Sequence, residues 1–236
     1  MFWYKAWLET KFKFLLAIAF MVFCFVVFYL MRIAPRTTPA PPAPSLAAIF
    51  GLTFTVFAVI LYTWLAGAGI NTQPSFQATK GLHGSTLFTL SLPVSRLRLL
   101  AIRASIGWLE MVGGILVWCY GCWLILLMAS VSATDMLEYV VALIVCASSL
   151  YFLSVLLGTF LDDQWRMYIT GMVSGALWML CTFVRVPASV NIVRAIMGES
   201  SPLIAHTMPW MAMLFSLGLA TVFALGALKI VQLREY

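Results

Sequence analysis

The chain has 236 residues, of which 63% are hydrophobic and only 9% are charged, with a net charge of +6. A soluble domain carries about 25% charged residues, so this chain has too few polar side chains to be a soluble globular protein. Its apolar residues also run in long blocks, which indicates an all-α integral membrane protein.

The N-terminus has the pattern of a helix that lies on a membrane surface. In "MFWYKAWLETKFKF" the aromatic residues recur at helical spacing, and charged residues follow one another four apart. Aromatic rings and lysines suit the headgroup layer. We expect residues 1–13 to form an interfacial elbow helix that turns into the first span, with Trp3, Trp7 and Lys11 as membrane-interface anchors. The alternative is a basic flank that only sets topology.

Six apolar segments have the length of transmembrane helices. A hydrocarbon core about 30 Å thick needs roughly 20 helical residues to cross it. The six predicted spans are residues 14–31, 46–66, 106–128, 137–161, 167–184 and 207–228. The fifth is the shortest. The elbow and the six spans together form a single transmembrane domain, residues 1–236.

Two connecting segments stand out in the predicted topology. Residues 35–44, "PRTTPAPPAP", are too rich in proline for a helix, so we expect an extended polyproline-II spacer. Residues 187–209 mix apolar and polar side chains. They predict either a short amphipathic helix or two half-spans that dip into the membrane.

The basic residues set the predicted orientation. Lysine and arginine concentrate on the cytoplasmic side of membrane proteins. With the N-terminus inside, ten basic residues fall on the inner side and four on the outer side. The inner set is Lys5, Lys11, Lys13, Lys80, Arg96, Arg98, Arg103, Arg166, Lys229 and Arg234, and the outer set is Arg32, Arg36, Arg185 and Arg194. We therefore expect both termini in the cytoplasm.

The longest predicted cytoplasmic segment, residues 67–105, contains a short helix. Ser85 and Thr86 can cap it by accepting hydrogen bonds from backbone N–H groups in its first turn. Leucines and a phenylalanine give it an apolar side, and Pro93 ends it. The apolar side of a helix that projects into the cytoplasm is exposed to water unless another protein packs against it. The pattern therefore predicts a docking element for a soluble partner.

Arginines follow this helix, around the first turns of the next span. A cation at a helix N-terminus costs a few tenths of a kcal/mol. Contact with anionic lipid contributes about 1 kcal/mol per basic residue and outweighs that cost. We expect Arg96 and Arg98 to anchor the segment at the inner face of the membrane.

The stretch "GSTLFTLSLPVSRLRLL" resembles the cytoplasmic segment of ABC-2-type transporter permeases, the membrane subunits of ABC exporters. The resemblance extends to the plan of an N-terminal elbow, six spans and an outer loop before the last span. It implies that two such subunits pair and that each rests on a separate ATP-binding cassette ATPase, which holds the ATP and magnesium. This chain would bind no cofactor of its own.

The resemblance also implies which residues contact the ATPase. The coupling residues would be His83, Gly84, Ser85, Thr86, Leu87, Phe88, Leu90, Leu92 and Pro93. Closure of the ATPase dimer would push on them and rock the spans. Export across the bacterial cytoplasmic (inner) membrane is the direction and place that the family implies.

The chain departs from the family pattern just before the coupling residues. Family members commonly carry one or two glutamates there, whereas residues 80–83 read Lys-Gly-Leu-His. We infer as a hypothesis that this chain pairs with a non-identical permease, or with an ATPase whose groove differs in charge.

A few polar residues fall inside or next to the predicted spans. Charge inside a membrane is costly and marks a candidate site. We expect Glu110 and Arg103 to pair on one helix face, or else to lie at a subunit interface or gate. Asp162, Asp163 and Arg166 predict a solvated inner turn, or a second contact with the ATPase.

The sequence lacks the usual signatures of catalysis. It has no GxxxxGK[ST] phosphate loop, HExxH or GxSxG. Cys119 and Cys122 form a CxxC, but small apolar packing is the simpler interpretation. The glycines of "GMVSG" at Gly171 and Gly175 predict close helix packing within one subunit. We expect no enzyme activity, metal site or nucleic-acid partner.

Two other kinds of membrane protein fit the composition. One is a secondary transporter that works without ATP, which would favour ionisable residues at the membrane centre or two similar halves. The other is a non-transporting anchor for a cytoplasmic partner. Co-purification with an ATPase would reject the first, and substrate-stimulated ATP hydrolysis would reject the second.

Overall fold

The computed structural model describes residues 2–33, 61, 65, 96–125, 132–161, 163–184, 186–187, 190–197 and 201–233. Within these ranges the regular structure is entirely helical. The helices are α1 (Phe2–Ile33), α2 (Arg96–Ile125), α3 (Ala133–Gly158), α4 (Asp163–Phe183), α5 (Ile192–Met197), α6 (Pro202–Ala205) and α7 (Trp210–Leu233).

Four of these helices, α1, α2, α3 and α7, are long and apolar enough to cross a membrane. The predicted all-helical class is therefore confirmed for the described residues, and the length and composition of these four helices are compatible with a membrane protein. The predicted fifth span corresponds to α4, which has 21 residues but is not among the four. The predicted second span lies outside the described residues except for Leu61 and Leu65, which are both helical and buried.

The N-terminal elbow and the first span are one helix rather than two. Helix α1 runs without interruption through 32 residues, because the sequence from Phe2 to Ile33 contains neither glycine nor proline to break it. At 1.5 Å per residue it is about 48 Å long, which exceeds a hydrocarbon core of about 30 Å. The N-terminal turns therefore extend beyond the apolar stretch that begins at Thr10. The predicted turn near residue 13 is wrong.

Helices α1 and α2 run side by side in the same direction. Thr10 contacts Glu110 near one end, and Phe25 stacks on Trp118 near the other, with ring centroids 5.1 Å apart. Contacts that advance together along both helices define a parallel pair. Phe2 and Arg96 therefore start their helices at the same end of the bundle, which we call the near end.

Leu61 and Leu65 contact α2 in the opposite order. Leu61 packs against Gly114, and the Leu65 carbonyl lies close to Gly107. The chain at these two residues therefore runs antiparallel to α2. Both leucines belong to the main core.

Helix α3 occupies the centre of the bundle. It is antiparallel to α2, because Tyr151 reaches back to Ala104 while Ser148 meets Trp108. It is parallel to α7, since Asp135 meets His206 at one end and Leu156 lies against Gly226 at the other. The largest side chains buried in the core are Trp118, Tyr139, Tyr151, Met21, Met111 and Met136.

The predicted outer loop, residues 187–209, contains two short helices. Helices α5 and α6 have six and four residues, too few to cross a membrane. Asn191 fixes the start of α5, because its side chain accepts a hydrogen bond from the Arg194 amide and donates one to the Cys181 carbonyl. His206 ends α6 in a left-handed conformation, with φ of 52°. Both short helices pack against α3.

Candidate functional site

The residues predicted to contact an ATPase mostly lie outside the described part of the chain. This holds for residues 83–93 and for Asp162. The structure does show where they lead, because α2 begins at Arg96, three residues after Pro93.

The predicted membrane-interface anchors are exposed where their side chains are described. Trp3 is 51% exposed and Trp7 37%, and Lys11 and Arg98 are also exposed. Arg96 is the first residue of α2. Trp3 and Trp7 lie in the first two turns of α1, and Arg98 lies in the first turn of α2. Aromatic and basic side chains of this kind suit a headgroup layer.

Glu110 is the central polar residue of the site. It is buried, with 5% of its surface exposed, and its Oε1 accepts a hydrogen bond from the Thr10 hydroxyl of α1. Its second oxygen, Oε2, has no hydrogen-bond donor among the described residues. The predicted pairing with Arg103 on the same helix is replaced by a contact between helices. Glu110 therefore ties α2 to α1.

Two arginines are buried at the same end of the bundle. Arg103 precedes Glu110 by two helical turns and is 6% exposed, and Arg166 in the first turn of α4 is 1% exposed. The prediction of a solvated turn is therefore wrong for Arg166, which is not available for surface contact with a partner. An arginine side chain is long enough to reach into the bundle from the end of a helix. The charged residues around Arg166 in the sequence therefore gave no sign that it is buried.

Tyr151 of α3 completes the polar contacts. Its hydroxyl donates a hydrogen bond of 2.7 Å to the Ala104 carbonyl of α2, and Glu110 and Arg166 both lie within electrostatic range of it. We call Thr10, Glu110, Tyr151 and Arg166 the polar layer. Its four residues belong to α1, α2, α3 and α4.

Gly107 makes the close approach in this layer possible. A β-carbon at this position would lie 2.5 Å from the Tyr151 hydroxyl and 2.9 Å from the Leu65 carbonyl oxygen. Both distances are too short for any side chain. The glycine thus lets α2 approach both Tyr151 of α3 and the Leu65 carbonyl closely.

Neighbouring polar groups are satisfied within the bundle. Trp108 Nε1 donates a hydrogen bond of 2.9 Å to the Ser148 hydroxyl, which itself donates to the Ile144 carbonyl. At the opposite end His206 Nδ1 lies 2.8 Å from Asp135 Oδ2. These contacts fix the positions of the helices relative to one another.

Cys119 and Cys122 lie in the main apolar core, as the packing interpretation predicts. Within the described ranges, no three His, Cys, Asp or Glu side chains converge as metal ligands do. A β-carbon at Gly171 or Gly175 of α4 would meet no atom of a neighbouring element within 4 Å, so the close packing predicted for this motif is not found in the described part of the chain.

Sequence reasoning missed Thr10, Tyr151 and the buried state of Arg166. Thr10 and Glu110 are 100 residues apart, and no local pattern links two positions at that separation. The one usable signal was that polar residues inside apolar helices must find partners. That rule singled out Glu110 as a polar residue within an apolar helix but could not supply its partner, Thr10.

Comparison of the chain with models of known protein families, with curated proteins and with solved structures returned no match.

Proposed function

We propose that this chain is the membrane-spanning permease subunit of an ATP-binding cassette exporter. It would form the substrate path with a second permease subunit and be driven by separate ATPase subunits that hold ATP and magnesium. The observation that carries the proposal is the stretch from Gly84 to Arg98, which resembles the coupling segment of ABC-2-type permeases and leads directly into α2.

The geometry of α2 supports a mechanical role. Glu110 lies fourteen residues after Arg96 on one continuous helix, a distance of about 21 Å. A push on the first turn of α2 would move Glu110, and with it Thr10 of α1. The Tyr151 hydrogen bond to Ala104 would carry the same motion to α3. Rocking of packed helices in this way is a known means of switching between two states.

The directions of the helices favour six spans with both termini on one side. Because α1 and α2 are parallel, Ile33 and Arg96 lie at opposite ends of the bundle, and the sequence between them must cross an odd number of times. Leu61 and Leu65, antiparallel to α2, fit such a crossing within the predicted span 46–66. The ten-to-four excess of basic residues then favours a cytoplasmic near end.

Helix α4 would be the fifth span despite its lower hydropathy. Its 21 residues give about 31 Å of helix, enough to cross the hydrocarbon core. Its polar residues Arg166, Thr170 and Ser174 are buried against the bundle, whereas its apolar residues face outward. A lipid-facing helix whose polar stripe points inward can cross a membrane.

The proposal places the chain in the cytoplasmic membrane of a bacterium, with anionic lipid around its basic inner face. Residues 80–83 lack the acidic residues that the family commonly carries there. Either this chain would pair with a non-identical permease, or its ATPase would have a groove that differs in charge. Counting the copies of this chain in a purified complex decides that point.

The test is the recovery of an ATPase together with this chain. The chain is extracted in mild detergent from its native membrane, and bound ATP-hydrolysing protein is measured for the wild type and for Leu87→Asp with Leu90→Asp. We expect the wild type to carry an ATPase and the double variant to lose it. The control is Ile204→Asp, an exposed residue of α6 at the opposite end of the bundle, which should retain the ATPase.

Three outcomes would contradict the proposal in different ways. Wild-type chain that carries no ATPase favours a transporter that works without ATP. A double variant that still binds the ATPase rejects residues 84–93 as the coupling element. ATP hydrolysis that no candidate substrate stimulates, in a complex that is otherwise intact, favours a non-transporting anchor.

A further inference from the structure

The hydroxyl of Thr10 lies between two acceptors. Its Oγ1 is within hydrogen-bonding distance of Glu110 Oε1 on α2 and lies 3.4 Å from the Trp7 carbonyl on its own helix. A threonine hydroxyl carries a single hydrogen, so it donates to only one of these oxygens at a time, but its own oxygen can also accept. Both contacts are therefore hydrogen bonds at once only if Glu110 supplies the second hydrogen.

The Glu110 side chain has few donors for an ionised carboxylate. It is 5% exposed, and among the described residues its hydrogen bond is the one to Thr10. The other oxygen, Oε2, has no hydrogen-bond partner there. An ionised carboxylate offers about four acceptor sites, and burial without donors for them favours the neutral form. As a carboxylic acid, Glu110 would donate from Oε1 to Thr10, and Thr10 would donate to Trp7.

The charged groups on the helices around Glu110 are cations, which favour the ionised form instead. The two buried arginines, Arg103 and Arg166, have interactions of their own, and neither donates a hydrogen bond to Glu110. Tyr151 of α3 donates its hydrogen to the Ala104 carbonyl. The remaining cations are Lys13 of α1, one turn after Thr10, and the exposed Lys229 of α7. None of the hydrogen bonds described for these groups supplies the donors that a buried carboxylate lacks.

We propose that Glu110 is a proton-binding site, and that it shares its proton with Thr10 where α1 meets α2. With the proton bound, Glu110 donates to Thr10 and Thr10 donates to Trp7. Without the proton, Thr10 donates to Glu110, and a carboxylate remains buried with that one donor. Because the protonated form buries no charge, proton binding favours close contact of the two helices. This inference does not depend on an ATPase or on transport.

Infrared spectroscopy of the purified full-length chain in detergent measures this proton directly, because a carboxylic acid and a carboxylate absorb at different frequencies. Spectra are recorded across a range of pH for the wild type and for Glu110→Gln, and their difference isolates this carboxyl group. The matched control is Glu138→Gln, which removes a carboxyl group one turn after Asp135 on α3. Helicity is measured at each pH to show that every variant stays folded.

Exposed aspartates and glutamates have lost their protons above about pH 6. We expect the wild type to keep a carboxylic acid band above that pH, which Glu110→Gln lacks and Glu138→Gln retains. Thr10→Val should change the frequency of the band, because the acid loses the oxygen to which it donates. It should also move the loss of the band to higher pH by up to about one unit, because the carboxylate loses its donor. Thr10→Ser should match the wild type.

The proposal is overturned if the wild type and Glu110→Gln give the same spectrum above about pH 6, because Glu110 would then be ionised throughout. It is also overturned if Thr10→Val changes neither the frequency of the band nor its pH range, because the proton would then not be shared with Thr10. If Glu110→Gln loses helicity, Glu110→Asp identifies the band by a change in its frequency. Either overturning result leaves the proposed transport function untouched.

Discussion

The hydrogen bond between Thr10 and Glu110 supplies the sharpest test of the bundle. Thr10→Val keeps the shape of the side chain and removes its hydroxyl, so Glu110 Oε1 is left buried without its donor. The other carboxylate oxygen has no donor among the described residues that could compensate. Removing one partner of a buried bond to a charged group costs about 1.5–3 kcal/mol.

The expected loss of stability must also take account of values measured for hydrogen bonds between membrane helices. Hydrogen bonds between membrane helices average about 0.6 kcal/mol in double-mutant cycles and reach about 1.7 kcal/mol. Because the acceptor is a carboxylate, we expect a coupling energy between Thr10→Val and Glu110→Met near the upper value. The double variant should be more stable than the sum of the single losses predicts, since no buried carboxylate remains.

The assay is reversible unfolding of the purified chain in mixed micelles, with increasing denaturing detergent and helicity as the signal. Thr10→Ser keeps the donor and should lose well under 1 kcal/mol, while Glu110→Gln keeps an acceptor and tests the charge. The matched control is Thr221→Val, because Thr221 is exposed and donates only to its own helix at Leu217. If Thr10→Val costs no more than Thr221→Val and the cycle shows no coupling, the polar layer does not hold α1 to α2.

Further predictions concern backbone positions and use the same unfolding assay. Gly107→Ala should destabilise the chain by about 1–3 kcal/mol, because its β-carbon would lie 2.9 Å from the Leu65 carbonyl oxygen. Gly171→Ala meets open space and should be neutral or slightly stabilising. Equal effects at both sites would contradict this packing. Ser132→Ala should lower the free energy of unfolding by about 1 kcal/mol, because the Ser132 hydroxyl accepts a hydrogen bond of 3.0 Å from the Asp135 amide at the start of α3. Ser132→Asp should restore most of this stability. If it does not, Ser132 does not act as the N-cap of α3. Asp135→Asn should change the free energy of unfolding by less than about 1 kcal/mol, because its partner His206 is 67% exposed and well solvated. A larger loss would show that the pair holds α6 against α3.

How far the sequence predicted this structure depends on the range of each interaction. Apolar runs of about twenty residues identify helices by themselves, so the spans 137–161 and 207–228 match α3 and α7 to within five residues at either end. The third span was predicted ten residues too short at its start, because its first turns carry arginines. Those first turns are nevertheless helical, because α2 begins at Arg96.

Features that depend on distant contacts could not be predicted. Helix α1 shows no break at residue 13, although its composition changes from charged to apolar there. The residues around Arg166 read as a charged surface turn, yet α4 turns this side chain inward. The parallel pairing of α1 with α2 and the role of Thr10 arise from a separation of 100 residues. The coupling segment itself stays a prediction.

The contacts between α1 and α2 differ in kind from one end to the other, and that difference bears on how the chain could move. Near their start the two helices meet through the Thr10–Glu110 hydrogen bond, which is directional and can break and reform. Farther along they meet through the stack of Phe25 on Trp118, next to Gly121, where a close-packed apolar contact resists separation. If α2 is driven from its first turn, as we propose, the polar end is the one that opens and the aromatic end is the pivot. A crosslink between positions 25 and 121 should then leave transport intact, whereas one between positions 10 and 110 should abolish it.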